Sequence, residues 1–72
     1  MSIEACNDRI FKALSAATRR SILDLLKDDP QTTGALCVQF PDLDRCTVMQ
    51  HLKVLEEAEL VIVRRKGRER WN

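Results

Sequence analysis

Apolar residues recur every three or four positions through most of this chain and switch to alternation near its end. The clearest helical stretch follows Asp44, where Val48, Leu52 and Leu55 form one stripe and Arg45, Cys46, Met49, Gln50 and Lys53 cover the opposite side. Asp44 suits the N-cap: its carboxylate can accept the Thr47 amide and sits at the positive end of the helix dipole. A helix over 45–58 is therefore expected, one face packed and the other open. That open face carries no acid from Arg45 through Val54, and Glu56, Glu57 and Glu59 come only at the far end. After it, Val61 and Val63 alternate with Ile62 and Arg64, and a second run from Arg68 to Asn72 follows Lys66 and Gly67. Such a pattern predicts a hairpin over 61–72, with Gly67 supplying the positive φ of a tight turn.

Three further helices are expected upstream. The first runs from about Ile3 to Leu14, with Ile3, Ile10 and Leu14 on one stripe and Phe11 beside it. The second covers about Thr18 to Lys27, where Ile22, Leu23, Leu25 and Leu26 leave little polar surface, and Asp28-Asp29-Pro30 stops it. A short third helix, capped by Thr32 or Thr33, carries Ala35, Leu36, Val38 and Phe40 before Pro41 breaks it. A short helix, a tight turn and a second helix with an open polar face make a helix-turn-helix unit, and the hairpin adds a wing. The fold class expected is mainly α with a small β-hairpin, a winged helix-turn-helix of four helices and a two-stranded wing.

Charge sharpens this picture. The whole chain of 72 residues is nearly neutral at net +1, yet Arg64, Arg65, Lys66, Arg68 and Arg70 face only Glu69 in the last twelve residues, which carry net +4. Residues 1–60 are left at net −3. Positive charge concentrated on a hairpin favours phosphate contact over a merely solubilising role. A chain this short makes one domain over 1–72 and buries roughly 60% of its unfolded surface, so its core is small. The apolar run Leu60–Val63 is far too short to span a bilayer, and the polar start MSIEACND does not resemble a signal peptide, so no membrane role and a cytoplasmic location are expected. No constellation of nucleophile, base and orienting group is present, and the only glycines, Gly34 and Gly67, make no phosphate-cradling loop, so an enzyme is not expected.

The strings ALSAATRRSILDLL, HLKVLEEAELV and RRKGRERW, in this order, resemble the ArsR/SmtB-type winged-helix transcriptional regulators over essentially the whole chain. Leu14, Thr18, Arg19, Arg20, Ile22, Leu23, His51, Leu52, Leu55 and Gly67 match the family pattern. The resemblance implies a sequence-specific repressor of transcription, commonly a homodimer on a palindromic operator in double-stranded DNA and often released by an effector. Three departures matter. The metal-sensing members carry Cys-Val-Cys on the third helix, and here Cys37 and Val38 are followed by Gln39. Glu59 stands where the family usually has glycine, at a cost of about 1 kcal/mol if the backbone there is left-handed. The chain also stops in the second wing strand, where members usually continue to a C-terminal dimerisation helix, so that helix is expected to be lacking.

The cysteines offer little as a site. Three in number, they suit a reducing compartment more than a disulfide framework. Cys6 and Cys37 form a candidate thiol site for metal or redox chemistry, but a soft metal wants several converging ligands, and buried cysteine commonly serves as a small hydrophobe. No metal and no cofactor are expected. His51, next to Leu52, reads as a hydrogen-bonded packing residue. Arg19 and Arg20 either steady a phosphate or pair with Asp24, with Arg20 at the better spacing.

For base reading, Arg45 suits guanine, Gln50 adenine and Met49 the thymine methyl, with Cys46 a further candidate that meets the thymine methyl, a phosphate or only solvent. Thr33, Thr47 and Lys53, with Arg64, Arg65, Lys66, Arg68 and Arg70 of the wing, are expected on the DNA backbone. The bland alternative is a solvated polar face. A rival of another class is a winged-helix module that grips a protein partner, but such modules tend to present apolar or acidic surfaces, unlike Arg45, Gln50 and Lys53.

Overall fold

A computed structural model describes the backbone of residues 3–72 and the side chains from Asp8 onward. Helices α1 (Ile3–Leu14), α2 (Ala17–Leu26), α3 (Thr33–Gln39) and α4 (Arg45–Glu57) precede an antiparallel hairpin of β1 (Arg64–Lys66) and β2 (Glu69–Trp71). The expected winged helix-turn-helix is observed, with helix ends within a residue or so of those read from periodicity. Ile22, Leu36, Val48, Leu52 and Leu55 are fully buried and, with Ala13 and Val61, make one small core where α1, α2 and α3 all meet α4. The stripe expected on α4 is the side that packs, which leaves its polar side open.

Helix α1 departs from expectation. Its apolar stripe does not enter the core: Ile10 and Leu14 are each 37% exposed and Phe11 71%, while Ala13 is completely buried. Ile3 belongs to the same predicted stripe but its side chain lies outside the described residues. A small residue at the contact lets α1 approach closely, and the larger side chains then point away. The α1–α2 corner is held by arginines. Arg19 donates from Nε to the Ala13 carbonyl (2.8 Å) and from a terminal nitrogen to that of Lys12 (2.7 Å), and Arg20 donates to Leu14. These are carbonyls that the end of a helix leaves without intrahelical partners. The alternative pairing of Arg20 with Asp24 is not formed: the guanidinium turns back to the end of α1.

Helix α3 is capped by Thr32, whose hydroxyl accepts from the Ala35 amide at 3.1 Å. Helix α4 ends in a Schellman arrangement, the Leu60 amide donating to Leu55 and the Glu59 amide to Glu56, each at 2.9 Å. That motif requires a left-handed residue, and Glu59 has φ 61°. The wing is shorter than alternation suggests. Arg64 pairs with Trp71, but Val61–Val63 lie outside the ladder because beyond Trp71 the partner strand turns to α3 instead. Asn72 exchanges backbone hydrogen bonds with Gln31, and Thr32 bridges Trp71, so the root of the wing is stitched to the start of α3. Gly67, φ 63°, is the first of two loop residues between the strands, where a tight hairpin turn needs positive φ.

Candidate nucleic-acid interface

The turn from Phe40 to Asp44 aims α4. After Pro41 prevents continuation of α3, the Leu43 amide donates to the Phe40 carbonyl at 3.0 Å, and Asp44 restarts the helix by accepting the Thr47 amide at 2.7 Å. That amide, followed by the Thr47 hydroxyl, holds the exposed Asp44 carboxyl below its ordinary range. The acid is thereby kept ionised at the helix start, where the dipole favours it.

With Val48, Leu52 and Leu55 buried, Arg45, Cys46, Met49, Gln50 and Lys53 emerge together on the exposed face. Thr47 is half-buried between cap and core. On the wing Arg64, Arg65, Lys66 and Arg68 are exposed. Helix face and wing thus offer polar and cationic groups side by side, and the acidic Glu56 and Glu57 come only in the last turn of α4.

Two of the expected backbone contacts are placed otherwise. Thr33 is 2% exposed, and its hydroxyl accepts from Asn72 Nδ2 at 3.1 Å, so it is used in tying the wing to α3. The reason is the pairing of β2 with residues 31–32, a long-range contact that periodicity does not register. Arg70 is half-buried, with a terminal nitrogen 3.7 Å from a Glu56 carboxylate oxygen. It faces the end of α4 and does not project freely with the other wing cations.

His51 and Arg19 form the connection behind this surface. The guanidinium lies 3.2 Å from His51 Nδ1 and can only donate, so Nδ1 is the acceptor and the ring proton sits on Nε2. Partial burial, and next the positive charge of Arg19, lower the His51 pKa below its ordinary 6.5. The packing role expected of His51 is the one observed, whereas the phosphate role offered for Arg19 is replaced by helix capping. Cys37 is half-buried against the core and Cys46 exposed, while the Cys6 side chain lies outside the described residues. Among the described residues no group of three metal-ligating side chains converges, and no helix is long and apolar enough to cross a membrane.

Sequence reasoning missed Gly34. It lines a cleft between α3, the start of α4 and the wing, together with Arg45, Arg68 and Arg70. A glycine inside the first turn of a short helix, where helix propensity disfavours it, was the available signal.

Residues 9–64 match the family model described as a helix-turn-helix domain. The chain is 40% identical over 60 residues to the transcriptional repressor SdpR of Bacillus subtilis, covering 83% of this chain and 66% of that protein. It is 41% identical over 70 residues to the HTH-type transcriptional regulator Rv2034 of Mycobacterium tuberculosis, covering 97% of this chain and 64% of that one. The chain therefore spans just under two thirds of the length of these two relatives. Among solved structures, an ArsR family transcriptional regulator superposes with TM-score 0.86 at 32% identity, over 92% of this chain and 71% of its own.

Proposed function

This chain belongs to the ArsR-type winged helix-turn-helix transcriptional regulators, and from that premise we propose that it binds double-stranded DNA and represses transcription in the cytoplasm. The observation that carries the proposal is the joint exposure of an acid-free helix face, Arg45 through Lys53, and of Arg64, Arg65, Lys66 and Arg68 on the adjoining wing. A helix with such a face fits the major groove, where Gln50 reads adenine and Met49 packs on thymine, and the wing cations follow the phosphates. Net −3 on residues 1–60 would orient the molecule as it approaches a polyanion. The resemblance to homodimeric repressors extends the reading to two copies on a palindromic operator, and the outward Ile10, Phe11 and Leu14 on α1 support an apolar contact between copies.

The test is selection of duplexes from a randomised pool, followed by titration of the enriched duplex at several salt concentrations. An enriched palindrome, bound less tightly as salt rises, is expected. Absence of any enriched sequence, or capture of a protein partner by the α4 face with no affinity for duplex DNA, would reject DNA reading in favour of an interaction module.

A further inference from the structure

The cleft between α3, α4 and the wing gathers three arginines from two separated segments. Arg45 comes from the first turn of α4, Arg68 from the hairpin turn and Arg70 from β2, and Gly34 and Glu69 complete the part that bears on its chemistry. Against them the cleft has the single acid Glu69; the Arg70 guanidinium is turned to Glu56 at 3.7 Å, which leaves Arg45 and Arg68 to make the cleft cationic. The hairpin adds an unfavourable feature, since the register sets Arg65 directly opposite Arg70, and like charges facing across a strand pair repel. Arg70 Nε is a buried donor with no acceptor among the described residues. Gly34 completes the case. Its φ is not positive and a Cβ there would meet nothing within 4 Å, so the fold does not require glycine, although glycine is the poorer helix former. Gly34 lines the cleft, and its missing side chain leaves room there.

We propose that this cleft holds one DNA backbone phosphate between recognition helix and wing, with Arg45 and Arg68 as its clamp. The inference rests on the DNA-binding reading and reassigns Arg45 from reading guanine to fixing register. Base reading then falls to Met49 and Gln50, with Cys46. Guanidinium forks suit phosphate oxygens, and a clamp bridging helix and wing fixes the angle at which both meet the duplex.

The test uses the duplex enriched by the wild-type chain, together with versions carrying each single base-pair change and versions with one uncharged methylphosphonate placed in turn along each strand. Arg45→Ala and Arg68→Ala are each expected to weaken binding on the order of tenfold, about equally for every base change, with the salt slope reduced by about one. Neutralising one particular phosphate should weaken the wild type similarly and add little to either variant. Gly34→Ala should keep or raise the thermal midpoint while weakening the complex. If Arg45→Ala instead relaxes preference at one base pair, or if Gly34→Ala binds as tightly as wild type, the clamp is overturned while DNA binding stands. A wild-type chain without affinity for duplex DNA would overturn the DNA reading and the clamp with it.

Discussion

Arg19 links the end of α1 to the recognition helix through a single side chain, capping the Lys12 and Ala13 carbonyls and donating to His51 on α4. Removing it takes the Arg19 donor from the Ala13 carbonyl, while that of Lys12 keeps the Ser15 hydroxyl, and Arg19→Ala is expected to cost about 2 kcal/mol in urea unfolding, as charged hydrogen bonds do. The same contact makes stability depend on pH. Because the folded chain holds the His51 pKa below 6.5, the unfolded chain takes up the proton first as pH falls. Stability from the neutral ring is therefore complete above about pH 6.5 and is lost as pH drops through the lower folded value. Denaturation midpoints measured between pH 8 and pH 5 should fall on the acid side, and His51→Gln should remove that part of the decline. Asp44 acts in a separate and more acidic window, since its folded pKa is depressed from 3.8 and its contribution disappears only as pH falls through that lower value. At the other end of α4, Glu59 occupies a left-handed position that glycine adopts without strain. Glu59→Gly should raise the unfolding free energy by about 1 kcal/mol.

At the scale of elements, the positions that a helix or strand repeats along its own length were the legible ones. The stripe Val48, Leu52 and Leu55 is buried as its spacing implies, and Asp44 caps α4 through the amide its sequence position selects. For α3 the alternatives Thr32 and Thr33 are resolved in favour of Thr32, because Thr33 is drawn inward by Asn72. The failures share a cause. Ile10, Phe11 and Leu14 have the spacing of a packed stripe, but which side of α1 meets the body depends on Ala13 allowing close approach, and size at a contact is not periodic. The wing ladder begins at Arg64, not Val61, because Asn72 pairs with Gln31, 41 residues away. Within the interface, the exposure of Arg45, Cys46, Met49, Gln50 and Lys53 followed from helical geometry alone. The engagement of Arg70 with Glu56 and the cleft at Gly34 required two segments to be brought together.

For the molecule as a whole, a small core and a divided charge set what can be changed without loss of the fold. The proposed dimer contact uses the exposed α1 face, so Phe11→Glu is expected to shift sedimentation toward a single copy and to weaken operator binding while leaving the thermal midpoint nearly unchanged, since Phe11 is 71% exposed. The four exposed wing cations set the scale of salt dependence: about 0.9 counterions released per phosphate contact gives a log–log slope near −4 per chain, measurable by titration across salt. A slope near zero would mean that the wing does not touch DNA. What the sequence determined by itself was local or one-dimensional: four helices and a hairpin, the buried stripe of α4, its cap, and a net +4 gathered into twelve residues. Periodicity, capping chemistry and charge order need no knowledge of distant partners. Only the tertiary structure decided that Arg19 caps α1 and holds His51, that Thr33 ties the wing to α3, and that Arg45, Arg68 and Arg70 share one cleft. Each of those depends on which segments pack against which, and a small core makes that choice through the sizes and hydrogen-bond partners of particular side chains.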